Sequence, residues 1–152
     1  MVSRAPSYRG LRSSSPRASK VARASSKKSG TRCEAALAIE LRKLGIRYRS
    51  QARHLPGCPD FVIPSAKLAI FCDGDFWHGR RLAQRLGKLE RGSNAAYWVA
   101  KIRSNVARDR RAARQLRAMG WSVLRIWEGD VLRDGWKAAA RVRAALAHRR
   151  AP

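Results

Sequence analysis

Two short apolar runs, Phe61-Val62-Ile63 and Leu68-Ala69-Ile70-Phe71-Cys72, stand four residues apart, with Asp60 before the first and Asp73 after the second. A gap of that length, Pro64-Ser65-Ala66-Lys67, suits a hairpin. The pair therefore predicts two neighbouring strands that carry carboxylates at facing ends. Pro56, Gly57 and Pro59 punctuate the chain before the first run, and Pro64 ends it. Upstream, Leu37, Leu41 and Leu44 recur at helical spacing over residues 34–44, Gly45 stops that helix, and residues 46–49 alternate as an extended segment. Downstream, residues 95–119 place Trp98, Ile102, Val106, Ala113 and Leu116 on one helical stripe, with arginines around the rest. Gly120 closes that helix. Residues 121–127 form a β-rich stretch interrupted only by Ser122 and Arg125, and residues 136–148 an Ala- and Arg-rich helix. Trp121, Trp127 and Trp136 are expected in the core. The order helix, three strands, helix, strand, helix predicts an α/β domain with a mixed central sheet flanked by helices.

Charge narrows the partner. Lys and Arg number 34 against 10 Asp and Glu, a net charge of +24 in 152 residues, and such a field favours polyanions, above all nucleic acid. Ribosomal-protein-like packaging and a membrane-surface polycation are the competing readings of charge alone. Residues 1–32 hold nine basic residues and no acidic one. They read as a disordered basic arm that adds sequence-independent phosphate contacts, or else as an organelle transit peptide. Residues 33–152 are expected to form a single domain, still strongly basic. Cys33, Cys58 and Cys72 lack the close pairing of a zinc or redox motif and read as free thiols. No apolar run approaches the roughly 20 residues needed to span a bilayer, and no secretory leader is evident. The expectation is a cytoplasmic, nucleoid-associated protein with no membrane partner.

Phosphodiester hydrolysis needs hard oxygen ligands for magnesium, a group that orients or deprotonates water, and cations that hold the backbone in line. Asp60, Asp73 and Asp75 fall within sixteen residues of a chain poor in acids. Carboxylates so close repel one another unless a divalent ion or arginines compensate them, and the residues leave both explanations open. Glu34 opens the first helix, where the helix dipole favours its charge and where it is also a catalytic candidate. His78, five residues after Asp73, can exchange a proton with water near neutral pH. Phe76 and Trp77, bracketed by Asp75 and His78, and Trp98 on the long helix are candidate wedges between base pairs, with plain core packing as the alternative.

The blocks LPGCPDFV, IFCDGDFWHG, YWVAKIRSNVARDRR and GWSVLRIWE, in register over about residues 31–128, resemble the very-short-patch-repair mismatch endonucleases. That resemblance implies a restriction-endonuclease-like, PD-(D/E)XK-type fold. It also implies magnesium-dependent nicking of one strand of double-stranded DNA near a thymine-guanine mismatch, with other mismatch-repair proteins as further partners. By the same resemblance Asp60 binds the metal, the Cys72 carbonyl reaches it, His78 handles the proton of water, and Glu34 lies close by. Phe76, Trp77 and Trp98 are the implied wedges, and Asn105 and Asp109 a polar pair on the long helix, with Asn105 expected at the DNA.

Departures from the pattern carry expectations of their own. Asp73 stands where a relative has a histidine that contacts the reacting phosphate. An aspartate there cannot act as a cation, and is expected to join Asp60 as a magnesium ligand. The lysine usual two residues later is replaced by Asp75. The family's structural zinc is held by cysteines and a histidine at places that here hold Asp75, residues 80–82 and Gly129, so no structural zinc is expected. Beside mismatch nicking stand two other readings, a restriction or defence nuclease that cuts duplex DNA without a mismatch, and a basic DNA-binding module whose nuclease site has decayed.

Overall fold

The computed structural model describes residues 30–91 and 94–150. The expected arm over residues 1–32 lies outside them except for Gly30, Thr31 and Arg32. Helix α1, Arg32–Lys43, starts on a capping box: the Thr31 side chain accepts from the Glu34 N–H, and the Glu34 side chain accepts from the Thr31 N–H. Leu37 and Leu41 point inward from it with no exposed surface. Each such side chain contributes roughly 1.5–3 kcal/mol of burial. Gly45, at φ 67°, ends the helix in the left-handed region.

Strand β1 is Arg49–Ser50, β2 is Phe61–Ile63 and β3 is Leu68–Asp73, with a 3-10 turn at Pro64–Ala66 making the expected β2–β3 hairpin. Helix α2, Leu82–Leu89, and the long helix α3, Ala95–Ala118, precede strand β4, Ser122–Trp127. Helices α4, Glu128–Arg133, and α5, Gly135–Arg150, follow. The sheet order is β1-β2-β3-β4. β1 and β3 each run antiparallel to β2, whereas β4 runs parallel to β3 with Phe71 opposite Arg125 and Asp73 opposite Trp127. Parallel pairing demands a crossover, and α2 with α3 supplies it.

Period-two alternation splits β3 between two cores. Leu68 and Ile70, with Phe61, Ile63 and Ile126, pack against α1 and α5, and Ala69 and Phe71 lie with Val62 and Leu116 on the face covered by α3. Asp73 therefore emerges on the α3 side.

Three expectations need correction. The extended segment over residues 46–49 pairs only from Arg49, because Ile46 and Tyr48 turn into the α1-side core, where Tyr48 meets the Phe61 ring edge-on at 4.9 Å. α2 and α4 were not expected. Trp136, placed in the core by its size, is 58% exposed, since α5 buries the face bearing Ala138, Ala139 and Val142. No helix among the described residues is long and apolar enough to cross a membrane.

Candidate active site

Asp60 immediately precedes β2, and its Oδ2 accepts the Cys72 N–H of β3 at 2.7 Å. A strand residue projects N–H and C=O from the same edge, so the Cys72 carbonyl leaves β3 on the Asp60 side, where β2 no longer covers it. The Cys72 thiol goes the other way, into the α1-side core, where a hydrogen bond with Cys33 and then burial push it far up and keep it protonated. Burial raises the Asp60 carboxyl from 3.8 to about 6; the Cys72 N–H opposes the rise, and the charges of Glu34 and Asp73 add to it. A carboxylate short of positive charge beside a main-chain carbonyl is a hard-oxygen donor set, and it fits a magnesium-type ion.

Glu34 is 8% exposed and its carboxylate is engaged at both oxygens. Oε1 accepts from the Thr31 hydroxyl at 3.0 Å, and Oε2 from the Gly30 N–H at 3.1 Å and from Gln51 Nε2 at 2.9 Å. Glu34 thus acts on Asp60 by its charge and through Gln51, whose side chain hydrogen-bonds Asp60 as well.

Asp73 ends β3 with 2% of its surface exposed. Arg125 grips it side-on: Nε donates to Oδ2, and Nη2 donates to Oδ1 at 2.6 Å. The same Nη2 lies 3.2 Å from Asp109 Oδ2. His78 Nδ1 meets Asp109 Oδ2 at 2.6 Å and stands 3.4 Å from Asp73 Oδ1. Arginine pairing is therefore what surrounds Asp73. Asp73, His78 and Asp109 are also the group among the described residues whose donor atoms, all within 4.8 Å of one another, could share a metal ion.

Burial alone would raise the Asp109 carboxyl, but the His78 hydrogen bond and the charges of Arg125 and Arg108 outweigh it and hold Asp109 low. An ionised Asp109 can only accept, so it pairs with the tautomer that carries its N–H on His78 Nδ1, in which Nε2 is the acceptor nitrogen.

The segment carrying His78 is pinned against α3. Gly79 sits at φ +74°, and a Cβ there would lie 2.8 Å from Val106 Cγ2, so only glycine allows this approach. Asn105, expected at the DNA, is 8% exposed, and its Nδ2 donates to the Trp77 carbonyl at 3.0 Å. It clamps the segment from beneath. Phe76, Trp77 and Trp98 come together, with ring centroids 5.0 to 6.1 Å apart in tilted and edge-on contacts. They form one half-buried aromatic knob on the segment that bears His78.

The places of the family's zinc ligands hold an ion-pair bridge. Arg80 Nη1 is 3.2 Å from Asp75 Oδ1, and its Nη2 donates to Asp130 Oδ1 at 2.8 Å, which joins the end of β3 to α4. A Cβ built on Gly129 would overlap the Asp75 carboxylate. These residues do not fit a thiolate zinc site. Beside them, a cleft of about 340 Å³ is lined by His78, Asp109, Arg125 and, from one face of α3, Arg110, Arg114 and Arg117.

Sequence reasoning missed Gln51, Arg80 with Asp130, and above all Arg125. The available signal for Arg125 was a lone charge within an otherwise apolar strand.

A mixed sheet with Asp60 just before inner strand β2 and Asp73 at the end of inner strand β3, with a carboxylate-oriented histidine beside an arginine-lined cleft, defines a nuclease of the restriction-endonuclease-like class. Over residues 13–84 the chain matches the family described as DNA mismatch endonuclease Vsr. It is 42% identical to the type II nicking enzyme V.NmeDIP of Neisseria meningitidis serogroup C over 122 residues, 80% of this chain and 81% of that protein. It is 39% identical to the type II nicking enzyme V.HpaIIP of Haemophilus parainfluenzae over 86% of this chain and 91% of that one. With the DNA mismatch endonuclease Vsr of Escherichia coli K12 it shares 40% identity over 64% of this chain and 61% of that one. The chain belongs to the Vsr family of DNA endonucleases.

Proposed function

We propose that this endonuclease nicks one strand of double-stranded DNA beside a thymine-guanine mismatch, with a magnesium-type ion held by Asp60 and the Cys72 carbonyl. The observation that carries the reading is His78, fixed through Nδ1 by Asp109 and set at the end of the strand that also positions the Asp60 carboxylate. When bound, the ion supplies positive charge to the scissile phosphate and lowers the pKa of water. The other steps belong to the chain's own residues. His78 Nε2 takes the proton of the attacking water, and Asp109 stabilises the imidazolium that results. The Phe76, Trp77 and Trp98 knob wedges into the duplex, and the α3 arginines hold the backbone. The enzyme would act in the cytoplasm on nucleoid DNA, upstream of repair proteins that resynthesise the nicked strand.

A second reading, nicking of matched duplex in the service of restriction, is favoured by the names of the relatives in Neisseria and Haemophilus, which are type II nicking enzymes. A strand-resolved assay with magnesium on mismatched and matched duplexes separates the two. The expected result is one nick on the thymine-guanine duplex alone. Asp60→Asn should lose about a thousandfold in rate while binding DNA as tightly as before. Equal nicking of both duplexes would transfer the activity to the second reading, and no nicking with magnesium or manganese would reject both.

A further inference from the structure

One carboxylate oxygen of Asp73, one of Asp109 and a ring nitrogen of His78 lie within 4.8 Å of one another, close enough to share a metal ion. That set already contains a cation. Arg125 crosses the Phe71 ring with its guanidinium carbon 4.9 Å from the centroid, and it engages Asp73 with two nitrogens and Asp109 with one of them. Burial alone would lower its pKa, but Asp73 and Asp109 outweigh burial and keep the guanidinium charged. The fork fixes the plane of the group. Among the described residues no partner is recorded for Nη1, and Arg125 lines the arginine-rich cleft beside His78.

We infer that Arg125 is a built-in cation of the catalytic centre: it fills the Asp73–His78–Asp109 cluster in place of a second divalent ion and offers Nη1 to the reacting phosphate. Asp73 is then the anchor of Arg125. The role follows from where charge develops in phosphoryl cleavage. A cation held rigidly by two carboxylates needs no reorganisation when negative charge builds on the phosphate. A second divalent ion would have to displace a bidentate guanidinium from a buried carboxylate. This inference rests on the metal-assisted nicking proposed above for its kinetic part only, because its metal count is independent of activity.

The test uses the full chain with Mn²⁺ as probe, counted by electron paramagnetic resonance, together with single-turnover nicking and duplex binding. Arg125→Gln is shorter than the native side chain but keeps an amide donor on the Asp73 side while removing the charge. It should bind one more Mn²⁺ than the wild type, and its nicking rate should fall about 100-fold with duplex affinity changed less than about threefold. Arg125→Lys, which keeps charge without the fork, should keep the wild-type Mn²⁺ count and recover part of the rate; it decides the matter should the Gln variant fail to fold. An unchanged Mn²⁺ count in Arg125→Gln, a wild-type rate in that variant, or an extra Mn²⁺ in Arg125→Lys would overturn the inference. If the wild type nicks no duplex, the proposed function fails while the Mn²⁺ counts still judge Arg125.

Discussion

Asp60 has the most exposed consequence of any single residue. Its carboxyl holds a proton up to about pH 6 in the folded chain against 3.8 ordinarily. A group whose folded pKa is raised contributes stability that is complete below the unfolded pKa and is lost as pH rises through the folded one. Metal-free protein should therefore lose stability between about pH 4 and pH 6 on account of Asp60. Asp60→Asn should melt higher than the wild type at pH 7.5, by on the order of 1 to 3 kcal/mol, and magnesium should close the gap by stabilising only the wild type. A melting temperature at or below that of the wild type in EDTA would refute this. At limiting magnesium the nicking rate should fall as pH drops through about 6, because a proton and the ion compete for one carboxylate. Asp60, Asp73 and His78 were legible because their types are rare here and their spacing is tight. Arg125 was not, since a lone charge in an apolar strand does not say which acid it pairs with until β4 is laid parallel to β3 and its side chain is brought over Phe71.

Among the elements, the joint between β3, the segment bearing His78 and α4 is held by charge where the family resemblance implies zinc. Arg80 spans Asp75 and Asp130, its guanidinium lies 5.6 Å from the Trp127 ring centroid, and Arg133 adds a second contact to Asp130 at 2.9 Å. Part-exposed ion pairs are weak and screened by salt. Arg80→Ala should cost about 1 kcal/mol at low ionic strength and less at 1 M salt, whereas EDTA should leave the melting temperature of the Asp60→Asn protein unchanged. A large loss of stability on chelation in that background would mean that a structural metal is present after all. The hairpin, α1, α3 and α5 were readable from apolar periodicity and glycine stops. α2 left a signal that was passed over, Leu82, Leu86 and Leu89 at helical spacing. α4, at six residues, is too short to establish any period.

For the molecule as a whole, the charge of +24 converts into salt dependence. Each phosphate neutralised releases condensed counterions, so the logarithm of duplex affinity falls with the logarithm of salt by about 0.9 per contact. Arg110, Arg114 and Arg117 line the cleft together. Changing all three to Gln should lower the slope by about 2 to 3 while leaving the preference between mismatched and matched duplexes intact, as expected of backbone contacts. A change of preference with no change of slope would place these side chains at the bases.

Read alone, the chain determined its fold class, its polyanionic partner and the positions of its scarce acids, because periodicity, net charge and residue rarity are properties of the order of residues. Only the tertiary structure decided how those acids are paired. It set Arg125 on Asp73, Asn105 beneath Trp77 and Gln51 between Glu34 and Asp60, contacts that span up to 52 residues. Electrostatic partners are chosen by distance in space and by burial, and neither exists until strands and helices have packed.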